Sequence, residues 1–127
     1  MIRQEFYVED YWKVIIYYNV DFHLLSVIGK EMRIYGLFSK EVFNDLKSGM
    51  VKAVTCSNLV EHVSIILFNK HSSRTDYINS IAHEAEHVKQ AMLEAYNVED
   101  EGEAPAYTMG FLVGRMYYVF KELICSL

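Results

Sequence analysis

Residues Tyr11 to Val20 are β-branched and aromatic, and their apolar side chains fall on both faces of an extended chain. That pattern predicts a strand covered from both sides. Asp21 then caps a helix over about Phe22 to Ile34, with Leu24, Leu25, Ile28, Met32 and Tyr35 as its apolar stripe. Ser39, followed by Val42, Phe43 and Leu46, opens a second short helix that stops at Ser48 and Gly49. Val51 to Cys56 and His62 to Phe68 read as strands, and Ser57 to Glu61 is long enough for an antiparallel turn between them. Asn69 to Thr75 is polar and breaks the pattern. A long helix over about Asp76 to Tyr96, an acidic loop from Asn97 to Gly102, and a last helix over about Glu103 to Leu123 complete the chain. Pro105 fits the first turn of that last helix, where a missing N–H costs nothing.

These elements predict one α+β domain over residues 1–127, with a small antiparallel or mixed sheet packed against the long helix and the C-terminal helix. The composition supports a packed core: 52% of residues are hydrophobic and 23% charged. A net charge of −5 speaks against nucleic acid or an anionic membrane as a partner. The apolar run from Ala104 to Phe120 contains Arg115, two glycines and a proline, so it reads as a buried helix and not a membrane span. The charged N-terminus does not fit a signal peptide. Cys56 and Cys125 read as reduced thiols, and the expected compartment is the cytoplasm. Trp12, Tyr17, Tyr18, Tyr117 and Tyr118 are more aromatic surface than one small core is expected to bury, which points to a homodimer contact.

The chemistry is concentrated in His83-Glu84-Ala85-Glu86-His87, an HExxH sequence. In zinc hydrolases this pattern supplies two metal ligands and a general base. With His83 at 0° and ~100° per residue, Ile81, Ala85, Val88, Met92 and Ala95 centre on ~160°, the core face. His83 and His87 sit near ~20°, one turn apart and away from the core. Glu84 lies ~65° from the core centre and Glu86 ~135°, so Glu84 is shielded at the border while Glu86 is expected in solvent. Two neutral imidazoles at i and i+4 can hold one Zn²⁺ at about 2.0–2.1 Å, and a neighbouring carboxylate can take the proton of a zinc-activated water.

No histidine follows His87, so a third protein ligand must be a carboxylate, as in His₂Glu sites. Glu99, Asp100, Glu101 and Glu103 are the downstream acids, and Glu103 is the best placed because it begins a helix. If the HExxH helix runs to Tyr96, its end lies ~14 Å beyond His87. The six-residue loop, with a reach of ~20 Å, must then double back. Either that helix ends early or the last one crosses it steeply, with Gly110 and Gly114 allowing close backbone approach.

The HExxH sequence, followed by Glu103 to Tyr107 and a glycine-bearing helix, resembles the small zinc metallopeptidases of gluzincin type often encoded by bacteriophages and mobile elements of gut bacteria. Thr55 to Asn58, Ser64 to Phe68 and Tyr77 to Ile81 share in the resemblance, which spans roughly residues 39–123. It implies a minimal zincin-like fold, Zn²⁺ held by His83, His87 and Glu103, Glu84 as catalytic base, and a peptide or protein substrate. Zincins also place a His, Tyr or Arg near the developing oxyanion. Tyr107, Tyr77 and His71 are candidates, with Tyr107 preferred because it lies one turn after Glu103. A second expectation stands beside this one: a non-catalytic, phage-type assembly or binding protein with a structural or vestigial zinc site. His23 is expected to be a packed or surface residue, and His62 to begin a strand and point into solvent.

Overall fold

The computed structural model describes residues 1–124, of residue 124 the backbone alone. Cys125 lies outside the described residues. The order of elements is β1 (Ile2–Val8), β2 (Trp12–Tyr18), a 3₁₀ turn (Phe22–Leu24), α1 (Leu25–Ile34), α2 (Lys40–Ser48), β3 (Ala53–Asn58), β4 (Val63–Phe68), α3 (Arg74–Tyr96) and α4 (Glu103–Ile124). The fold is α+β, with a four-stranded mixed sheet in the order β1-β2-β4-β3. The outer pairs are antiparallel, and β2 runs parallel to β4 with Ile15 opposite Ile65. No helix among the described residues is long and apolar enough to cross a membrane.

Alternation along the strands explains the layering. Trp12, Val14, Ile16 and Tyr18 of β2 join Ile66 and Phe68 of β4 on the face covered by α3 and α4. Ile15, Tyr17, Val63, Ile65 and Leu67 point the other way, against Ile28 and Met32 of α1 and Phe43 and Leu46 of α2. The sheet is therefore packed between two helix layers, and β2 and β4 are apolar on both faces because both are covered. β1 escapes the hydrophobic pattern read above. Phe6 and Val8 alternate inward against exposed Arg3, Glu5 and Tyr7, and a side strand half in solvent carries too few apolar residues to stand out.

The helix ends follow local chemistry. Asp21 accepts from the His23 N–H, so it caps a 3₁₀ turn that precedes α1. Ser39 accepts from the Val42 N–H, and Gly49 closes α2 at φ +80°. Ser73 caps α3 through the Asp76 N–H, which starts the helix at Arg74, inside the stretch read as a polar break. Asn97 ends it in the left-handed conformation.

Several expectations change. Trp12, Tyr17 and Tyr18 are all buried, whereas Tyr117 and Tyr118 are exposed. His62 is half-buried, stacked 5.4 Å from Trp12 with its Nδ1 3.1 Å from the Tyr96 hydroxyl. α3 keeps its full length, and α4 returns antiparallel beside it: Tyr77 at one end meets Phe120 at 5.7 Å, and Leu93 and Tyr96 at the other share a cleft with Ala104 and Thr108. The two helices do not meet through Gly110 and Gly114, because a Cβ at either would meet nothing within 4 Å.

Within the chain those two glycines therefore carry a helix-propensity cost with no packing return. Gly110→Ala should stabilise the protein by about 0.5–1 kcal/mol. The check is a higher denaturant midpoint at unchanged slope; an unchanged or lower midpoint would contradict the open-space environment.

Candidate metal centre

Among the described residues, His83, Glu84 and His87 form the one group of three side chains whose ligand atoms lie within 4.8 Å of one another. All three come from α3. The imidazoles are exposed, and their Nε2 atoms face each other at 3.1 Å. Two nitrogens sharing a tetrahedral zinc at 2.0–2.1 Å stand about 3.3–3.4 Å apart. The pair thus fits a zinc ion with a shift of a few tenths of an ångström. Metal ligands are usually backed by a further hydrogen bond that fixes the ring; the Nε2 atoms converge on the site, which leaves Nδ1 of each ring for that role.

Glu84 is different in kind. It is 3% exposed, pressed between α3 and β3, and Thr55 of β3 donates its hydroxyl to Glu84 Oε1 at 3.1 Å. The other oxygen, Oε2, lies 4.0 Å from His83 Nε2. That is longer than the ~3.3 Å between neighbouring ligands of a small tetrahedral ion, and it suits a carboxylate acting through an intervening water. Burial pushes the Glu84 carboxyl up; the Thr55 hydrogen bond and the two imidazoles pull it back down. Glu86, expected in solvent, is instead half-exposed and tied to Lys89 at 2.9 Å and Gln90 at 2.9 Å.

Two shallow clefts flank the group along the seam between α3 and β3. One, of about 380 Å³, is lined by Lys52, Ala53, Asn79, Ser80, His83 and Glu84. The other, of about 330 Å³, is lined by Thr55, Ser57, Leu59, His87, Gln90 and Glu94. β3 is the sheet's edge strand, so its outer backbone groups run unpaired beside both clefts. Cys56, also on β3, is a half-buried free thiol whose pKa is raised by burial and by the charge of Glu84.

The remaining candidates lie elsewhere. Glu103 opens α4, is exposed, and stands outside the ligand group. The acid that the loop does lay on α3 is Asp100, whose Oδ2 meets Gln90 Nε2 at 2.6 Å and Lys89 Nζ at 3.0 Å. Lys89 is drawn into burial by these bonds, its side chain 9% exposed. Asp100 thus meets α3 at Lys89, ~140° from Glu84 on the helix, and at Gln90, in the wall of the second cleft. Tyr107 is 75% exposed and borders a different cleft, with Val8, Glu9, Thr108 and Phe111. Tyr77 is buried with its hydroxyl donating to Asn19. His71 is buried, stacked 4.2 Å from Tyr77, with Nδ1 2.7 Å from the Asn69 carbonyl and Nε2 2.7 Å from Ser80 Oγ. A carbonyl only accepts, so Nδ1 carries the proton and Ser80 donates to Nε2. His71 thus acts on the site indirectly, by fixing Ser80 in the wall of the cleft beside His83.

Sequence reasoning passed over Thr55 as a partner of Glu84, together with Lys52, Asn79 and Ser80. The period-2 placement of Thr55 on a strand ahead of the metal helix was the available signal for the first. Compared with family models, curated proteins and solved structures, the chain matches none. The site's chemistry rests on its own geometry.

Burial holds the His71 pKa below its ordinary value. A depressed folded pKa means that stability is fully present above about 6.5 and lost as pH falls toward the folded pKa, where the buried ring must charge. Unfolding free energy should therefore drop as pH falls below about 6.5, and a His71→Gln variant should show a shallower drop. Equal slopes in the two proteins would contradict this.

Proposed function

We propose that the protein is a zinc-dependent metallopeptidase of minimal zincin-like architecture, with His83 and His87 as ligands and Glu84 as general base. The observation that carries this reading is the 3.1 Å approach of two exposed imidazoles beside a carboxylate buried on the same helix. Zinc bound there would polarise a carbonyl and acidify a water molecule. The chain's own part is proton handling. Thr55 occupies Oε1 of Glu84, so Oε2, which faces the imidazoles, takes the proton of the attacking water and passes it to the departing amine. Its position, buried with Oε1 already accepting from Thr55, fixes the carboxylate for both events. A peptide lying along the free edge of β3 would extend through both clefts, its backbone pairing with the strand and its scissile bond brought to the imidazoles.

The proposed third ligand is Glu103, completing a His₂Glu set. To reach the imidazoles it would have to leave the far end of α3, where Ala104 and Thr108 share a cleft with Leu93 and Tyr96. The position of Glu103 outside the ligand group is also the observation that favours the second reading, a non-catalytic metal site in an assembly or binding protein.

Two measurements separate these readings. Protein purified without added zinc should hold one equivalent of metal, and His83→Ala should lose it together with the thermal stabilisation that zinc confers, about 2.7 kcal/mol at a hundredfold excess over Kd. Glu84→Gln should keep metal and fold while losing about 10²–10⁴ in turnover of a peptide library. Metal binding with no turnover in either protein would establish the non-catalytic reading. No metal binding at all would overturn both.

A further inference from the structure

A surface helix is polar opposite its buried stripe, and α4 is not. Its core side carries Leu112, Met116, Val119 and Phe120, all buried. Advancing ~100° per residue, the opposite side carries Tyr107, Gly110, Gly114 and Tyr118, bordered by Phe111 and Tyr117. The four rings are 75%, 72%, 43% and 45% exposed for Tyr107, Tyr118, Phe111 and Tyr117. Charges stand at the two ends of this side: exposed Glu103 at the start, and Lys121 at the finish, its ammonium 5.7 Å from the Tyr117 ring and exposed Glu122 next to it in the chain.

We propose that this face of α4 pairs with the same face of a second copy of the chain, antiparallel, about a twofold axis near Leu112. The pattern is self-complementary under that operation. Gly110 of one copy meets Gly114 of the other, so the backbones can approach where a Cβ now meets nothing within 4 Å. Tyr107 meets Tyr117, and the acidic start of each helix meets Lys121 of the other. The charges choose the direction. Parallel pairing would set the two Glu103 side chains at the same end; antiparallel pairing separates them, brings each level with a Lys121, and opposes the helix dipoles favourably.

The area sets the strength. At ~200 Å² for a whole aromatic side chain, the four rings offer roughly 500 Å² per copy. Exposed helix backbone at the two glycines and Tyr11, which shares a cleft with Ala104 and Thr108, adds to this. A standard stable interface takes ~800 Å² per partner. The pairing is therefore a small, reversible one. A membrane surface is the rival occupant of such a face, and a net charge of −5 opposes it at anionic lipid.

Sedimentation equilibrium of the full chain, across a series from low to several hundred micromolar, tests the pairing. It is run once with chelator and once with zinc, so that its outcome is separate from that of the metal site. The wild-type mass should rise from monomer to dimer in both. Gly114→Leu, which fills open space and favours the helix, should weaken dimerisation at least tenfold, as should Tyr118→Asp. Lys121→Glu should weaken it too, which a parallel pairing would not show. A monomer at every concentration, a dimer indifferent to Gly114→Leu and Tyr118→Asp, or a monomer that binds phosphatidylcholine–phosphatidylglycerol vesicles through this face would overturn the proposal. A dimer weakened by those two but not by Lys121→Glu would overturn its antiparallel arrangement.

Discussion

Glu84 sits in the seam between α3 and β3 at 3% exposure, with a threonine hydroxyl on one carboxylate oxygen and two imidazoles beside the other. An ionised carboxylate taken out of water costs several kcal/mol unless it is hydrogen-bonded or paired. One neutral hydroxyl bond returns only part of that. The rise in its pKa is the sign that the balance stays unfavourable in the metal-free protein. A cation at His83 and His87 would supply the missing compensation. Such a cation would relieve the cost of burying Glu84.

The rest of the fold holds that seam in place. β2 and β4 are apolar on both faces and covered by helices on both, so the sheet is a rigid floor for α3. Ser73 and Asn97 fix the ends of α3, and His71 ties the preceding loop to it through Ser80. β3 is held to β4 on one side only, which leaves an edge directly beside the imidazoles. A buried acid, paired imidazoles and an unpaired strand edge are thereby brought to one surface by two elements.

How much of this could be read from residues alone varied with the kind of signal. The phase of α3 was legible, because 3.6-residue periodicity put Ile81, Ala85, Val88 and Met92 inside and both histidines outside. Glu84 at the border of the core followed from the same angles. The strand Ile2–Val8 was not legible, since one side of it is solvent and Arg3, Gln4 and Glu5 dilute its alternation. A mixed sheet was one of the two kinds expected, but its strand order was not legible, since it depends on β4 inserting beside β2 after two helices and β3 have intervened. The path of the acidic loop depended on tertiary bonds: Lys89 and Gln90 hold Asp100 against α3, and no periodicity in Asn97 to Gly102 encodes that. Tyr117 and Tyr118 stood out by composition, but only the helix direction separates them from Trp12 and Tyr18, which the core absorbs.

X-ray absorption at the zinc edge, on protein loaded with one equivalent of the metal, tests the centre most directly. The account predicts nitrogen and oxygen scatterers at about 2.0–2.1 Å with the outer-shell pattern of two imidazoles, both lost in His83→Ala/His87→Ala. Sulfur at about 2.3 Å, or a spectrum without imidazole that survives the double substitution, would place the metal elsewhere and contradict it.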